Sequence, residues 1–160
     1  MKAATVSQLK KELSYRSPEE LLELCLRLSK FKKENKELLT YLLFDSLDEE
    51  EFIQKIKEEV DLEFDAINTK NFFYIKKSVR KILKNIKKYS RYSLKKETEA
   101  ELLLYFCSKL KDFRPSIKRN PTLVNLYQRQ LVAVKKLIST LHEDLQYDYQ
   151  LEIEELESII

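Results

Sequence analysis

Not one glycine occurs in the 160 residues of this chain, although average usage of about 7% would supply roughly 11. Glycine reaches positive φ at no steric cost, so its absence removes the usual residue of tight hairpin turns, β-bulges and phosphate-cradling loops. Dinucleotide fingerprints, Walker loops and nucleophile elbows all require it and are excluded. The three prolines, Pro18, Pro115 and Pro121, each fall at or near a helix boundary and leave the rest of the chain open to uninterrupted helices.

Apolar residues recur at helical spacing, and the start signals are explicit. Ser17-Pro18-Glu19-Glu20 is a capping box, with Pro18 at the first helical position and Glu20 reaching back to Ser17. Leu21, Leu22, Cys25 and Leu28, then Leu38, Leu39, Leu42 and Leu43, mark core faces on either side of a charged stretch from Lys32 to Asn35. They predict a first helical hairpin over residues 18–47. Asp48-Glu49-Glu50-Glu51 repeats the start signal, with acidic residues where the helix dipole favours them. Phe52, Ile53, Ile56, Val60 and Phe64 follow; after the polar break Asn68 to Asn71 come Phe72, Ile75, Val79, Ile82, Ile86 and Tyr89, which predicts a second hairpin over 48–92. Leu102, Leu103, Phe106 and Leu110 precede the loop Arg114 to Pro121, and Leu126, Leu131, Val134, Leu137, Ile138 and Leu141 follow it, giving a third hairpin over 94–142. A short helix is expected at about 5–15 and an acidic helical tail at 143–160.

The expected fold is therefore all-α, an irregular α-α superhelix of about three stacked helical hairpins, six to seven helices in a single domain spanning 1–160. A chain of this length buries about two-thirds of its unfolded surface. Its composition, 43% hydrophobic and 36% charged, is that of a sequence that packs. The unevenly spaced hairpins exceed what a four-helix bundle needs and favour a HEAT-like stack, without a residue-level repeat. The segments KFKKENKELLTYLLFDSLDEEEF, INTKNFFYIKKSVRKILKNIKKYSRYS and LHEDLQYDYQ resemble those of a group of small uncharacterised all-helical bacterial proteins. That resemblance implies a compact helical domain and carries over no functional residue.

Motifs for chemistry are absent. His142 is the one histidine, and the run His142 to Gln146 begins like a zinc-protease helix but has Gln146 in place of the second histidine. A Glu-x-x-His site fails at Ser139, and a serine nucleophile would have to recruit the same His142 without a strained turn to present it. Cys25 and Cys107 both lie in apolar helical runs and read as small core hydrophobes; two isolated cysteines lack zinc-site spacing and suit a reducing compartment. No catalytic residue, metal or cofactor is expected. The amino terminus has no apolar core of signal-peptide type and no stretch approaches about 18 apolar residues, so a cytoplasmic location is expected.

Charge is segregated by element. Residues 66–96 hold 11 Lys or Arg and no Asp or Glu, whereas 45–65 hold 10 acidic residues against Lys55 and Lys57. Lys76, Arg80, Lys84, Lys88, Arg91 and Lys95 fall at spacings of three or four, widened by Lys77, Lys81 and Lys87, and Arg114, Lys118 and Arg119 could extend the footprint. The cheaper reading pairs the acidic and basic helices within one hairpin, or pairs the basic stripe with the seven acidic residues of 143–160.

The functional reading is a noncatalytic interaction module with a charge-segregated surface, binding a protein partner or another copy of itself. The alternative is a nucleic-acid-binding helical repeat that uses helix 72–96, with Tyr74, Tyr89 and Tyr92 available for stacking. That alternative is similar to the HEAT-like DNA-glycosylase fold, although the chain has no tryptophan for that family's aromatic cleft and no identifiable catalytic carboxylate. Membrane binding is the weakest reading, because the apolar face of the basic helix is needed by the core. Phe72, Phe73 and Tyr74 are expected to anchor that helix in the core.

Overall fold

Side-chain caps set most of the helix starts. In the computed structural model, which describes residues 1–158, Ser17 accepts the Glu20 N–H at 3.2 Å while the Glu20 carboxylate accepts the Ser17 N–H, and Thr5 and Gln8 make the same reciprocal pair. Asp48, Asn71 and Asn120 accept from the N–H groups of Glu51, Tyr74 and Leu123. Each satisfies a backbone donor the helix cannot satisfy itself. The helices are α1 (Val6–Leu13), α2 (Pro18–Phe31), α3 (Lys33–Leu43), α4 (Glu49–Asp65), α5 (Phe72–Ser93), α6 (Lys96–Asp112), α7 (Pro121–Ile138) and α8 (Glu143–Glu157), with 3₁₀ turns at Asp45–Leu47 and Ile117–Arg119. The described residues contain no strand, and the class is all-α. Among the described residues eight α-helices stand where six to seven were expected, the expected acidic helical tail being the eighth; residues 159 and 160 of that tail lie outside the described residues.

The chain forms two compact units, Met1–Phe44 and Asp45–Ile160. In the second, α4 and α5 form one hairpin, α6 and α7 the next, and α8 packs on α6 and α7. The central element is α6. Ala100, Leu102, Leu103, Leu104, Phe106, Cys107 and Leu110 are all buried and occupy more than one side of the helix, as packing against α4, α5, α7 and α8 requires. One stripe suffices for α4, where Phe52, Ile56, Val60 and Phe64 are buried four residues apart; the Phe64 ring meets Phe106 and Phe113 at 5.9 and 6.1 Å. Tyr127 on α7 donates to the Leu156 carbonyl at 2.9 Å, and with Ile153 and Leu156 buried it ties α8 to the core.

The first unit departs from the expected core. Leu22, Leu28, Leu42 and Leu43 are each more than half exposed, and Cys25 is exposed rather than buried. The leucines of α2, at positions 21, 22, 24, 26 and 28, spread over about half of its circumference, and α3 covers one side only. One boundary also shifts. The helix expected to run to about His142 stops at Ile138, and His142 caps the start of α8, its Nδ1 accepting the Asp144 N–H at 3.3 Å.

A candidate anion-binding face on α5

Core contacts fix how α5 is turned. Ile75, Val79, Ile82, Leu83, Ile86 and Ser90 are buried, and at about 100° per residue they occupy one side of the helix. The opposite side collects Lys76, Lys77, Arg80, Lys81, Lys84, Lys87, Lys88 and Arg91, all exposed or half-buried. From Lys76 to Arg91 this row runs about 22 Å at the usual rise per residue.

The neighbouring acidic helix meets α5 mostly through groups outside the row. Its carboxylates meet α5 through uncharged donors: Asn85 to Glu63 at 3.5 Å, Tyr89 to Glu59 at 2.8 Å, and Ser93 to Glu49. Asn85, Tyr89 and Ser93 are spaced by four, so along this edge α5 presents α4 with an amide and two hydroxyls. The ion pairs of α4 run elsewhere. Lys57 holds Glu101 at 2.7 Å, Asp61 holds Lys109 at 2.9 Å, and Lys55 holds Asp45 and Glu51. The acidic α8 pairs with Lys111 through Glu155 and with Lys135 through Glu157, on α6 and α7. Among the described residues Lys76, Lys77, Arg80, Lys81, Lys84, Lys87 and Arg91 make no ion pair. Lys88 lies over the Tyr89 ring at 4.9 Å.

Four of the expected site residues stand apart from this face. Leu94 adopts a left-handed conformation (φ 58) and ends α5, so Lys95 leaves the row and sits 3.7 Å from Glu49, which also accepts from Thr98 at 2.7 Å. Arg114 lines a cleft of about 380 Å³ with Lys109, Asp65 and Asp112. Lys118 and Arg119 are exposed on the turn before α7. The aromatic expectation also changes. Tyr92 is buried, and Tyr89 is taken up by Lys88 over its ring at 4.9 Å and by Glu59 at its hydroxyl. Phe73 is 66% exposed and Tyr74 39% exposed, where a core anchor was expected; their rings meet edge-on at 5.5 Å.

The described residues contain no group of three His, Cys, Asp or Glu able to hold a metal ion, and none of their helices is long and apolar enough to cross a membrane. No family model, curated protein or solved structure matches the chain. The chemistry of the face is therefore read from its own residues: a line of cations with one exposed aromatic pair at its amino-terminal end.

Proposed function

We propose that this chain is a noncatalytic helical interaction module that binds nucleic acid through the phosphate backbone, using the basic face of α5. The observation that carries the reading is that seven of the eight cations from Lys76 to Arg91, all but Lys88, make no ion pair among the described residues, on a helix whose other side is locked into the core. A straight line of Lys and Arg releases condensed counterions when it meets phosphates, and this supplies affinity without base contacts. Protein–protein interfaces, by contrast, centre on aromatic or apolar anchors and are depleted in lysine. The outward face of α5 offers only the Phe73–Tyr74 pair, at one end. A bilayer would need an apolar face, and that of α5 is buried.

Fluorescence anisotropy with labelled single-stranded and duplex oligonucleotides tests the proposal, with polyglutamate as competitor for the acidic-protein alternative. Both oligonucleotides bind at low ionic strength with similar affinity, and polyglutamate displaces them poorly. Absence of binding to either oligonucleotide, or stronger binding of polyglutamate, sinks the proposal.

A further inference from the structure

The unit Met1–Phe44 has almost no interior of its own: among its residues only Ser29 and Tyr41 are buried. On α2, Leu21, Leu24, Leu28 and Phe31 recur at the three-four-three spacing that places side chains on one seam. Leu24, Leu28 and Phe31 are 41, 61 and 76% exposed. A cleft of about 750 Å³ between α1 and α2, with Leu9, Leu13, Leu24 and Leu26 in its wall, meets this seam at Leu24.

The charges beside the seam select what covers it. Glu20, Glu23, Arg27 and Lys30 repeat the same spacing along one flank, acidic in the amino half and basic in the carboxyl half. Glu20 is held by Arg16 at 3.3 Å within the chain. Glu23, Arg27 and Lys30 have no ion-pair partner among the described residues.

We propose that α2 is a self-association element, in which two copies of this chain pair their α2 helices antiparallel about a two-fold axis, seam against seam. Antiparallel pairing sets Glu23 of each copy against the Arg27–Lys30 segment of the other, and the two-fold axis makes every such contact twice. Parallel pairing would set this flank against the opposite flank of the other copy, where Leu22, Cys25 and Ser29 offer the charges no complement. An apolar seam whose flanking charge reverses halfway along is complementary to its own inverted copy, which makes a second copy the occupant this surface fits. The self-pairing rests on residues 1–44 and is independent of the basic face of α5.

Sedimentation and light scattering on the full chain read the mass directly. The wild-type chain sediments with twice the mass of one chain, and Leu24→Asp with Leu28→Asp sediments as a monomer while keeping its helical circular dichroism. Glu23→Arg and Arg27→Glu are each weakened at least tenfold in self-association. Mixed together they form a heterodimer, because each then carries the charge the other lacks, a rescue that a merely misfolded variant does not give. A wild-type chain that stays monomeric well above micromolar concentration overturns the proposal. So does a dimer that the seam variant leaves intact, or a mixture that behaves as its separate components; a monomer whose seam is protected from hydrogen exchange assigns the surface to another occupant.

Discussion

The Tyr89 hydroxyl donates to Glu59 Oε1 at 2.8 Å, so at this point the acidic helix α4 is answered by a phenol and not by a lysine. Asn85 one turn before and Ser93 one turn after do the same for Glu63 and Glu49. Carboxylate positions that in sequence look like counterions for α5 serve instead to join the hairpin. Structural and partner-facing charge are thereby separable by mutation. Tyr89→Phe removes one hydrogen bond to a charged group at a solvent-exposed edge and costs about 1 kcal/mol of stability. Chemical denaturation measures that loss, and oligonucleotide affinity stays within twofold of wild type.

Leu94 is the one described non-glycine residue with positive φ, at 58°, and its side chain is 84% exposed. The left-handed conformation crowds Cβ against the backbone and costs about 1–2 kcal/mol for a residue of this kind. Leu94→Gly relieves the crowding at the loss of little packing, so the variant is more stable by about 1 kcal/mol, net of glycine's greater freedom when unfolded. A rise in thermal midpoint checks it, and a fall shows that the Leu94 side chain contributes packing.

Between α4 and α6, Tyr105 donates to Asp61 Oδ1 at 2.7 Å, and Lys109 lies 2.9 Å from the same oxygen. Burial draws the Asp61 carboxyl upward, but the hydrogen bonds from Tyr105 and Lys109 and the Lys109 charge outweigh it and leave Asp61 below the ordinary 3.8. Burial, then the bond to Asp61, pushes the Tyr105 phenol up to about 12. A lowered carboxylate contributes stability that is complete above its unfolded value and is lost as pH falls through its folded value; a raised phenol contributes stability that is complete below pH 10 and is lost as pH rises toward about 12. The stability difference between wild type and Tyr105→Phe is therefore a plateau across neutral pH that shrinks at both ends. Denaturation midpoints measured across that range check it; a difference that grows above pH 10 contradicts the assignment.

The two thiols behave differently. Cys107 is fully buried, and its thiol is pushed up to about 12 by burial and by Glu152, whereas Cys25 is exposed. Thiolate is the reactive form, so a disulfide exchange reagent at neutral pH titrates one thiol in the folded protein and two in denaturant. Peptide mapping assigns the fast thiol to Cys25.

The glycine-free composition and the cap residues made the class and most helix starts readable. Ser17, Asp48 and Asn120 cap where their spacing to the next apolar run places them, and Pro18 and Pro121 occupy first turns. The end of α7 was harder to place, because Leu141 continues the apolar period past the point where Ser139 ends the helix. The first unit departs from its expected core for a related reason. Periodicity identifies an apolar face but not whether a neighbour covers it, and α2 carries leucines on more sides than α3 can hide.

On α5 the cations could be found by spacing alone, since nothing acidic interrupts them. The decisive detail was the uncharged row Asn85, Tyr89, Ser93, also spaced by four, which shows which edge meets α4. Charge alone does not reveal it, because an amide and two hydroxyls carry none. The break at Leu94 was hidden as well: a leucine in left-handed conformation has no sequence signature, so Lys95 looked like a continuation of the row.

The salt dependence of oligonucleotide affinity tests the central claim most directly. For a backbone-bound face, log affinity falls linearly with log salt by about 0.9 per duplex phosphate contacted. The wild-type chain gives a steep slope, and Lys84→Glu with Arg91→Glu lowers affinity at least tenfold and makes the slope shallower by about two contacts. Affinity and slope left unchanged by that double charge reversal would contradict the assignment of the α5 face.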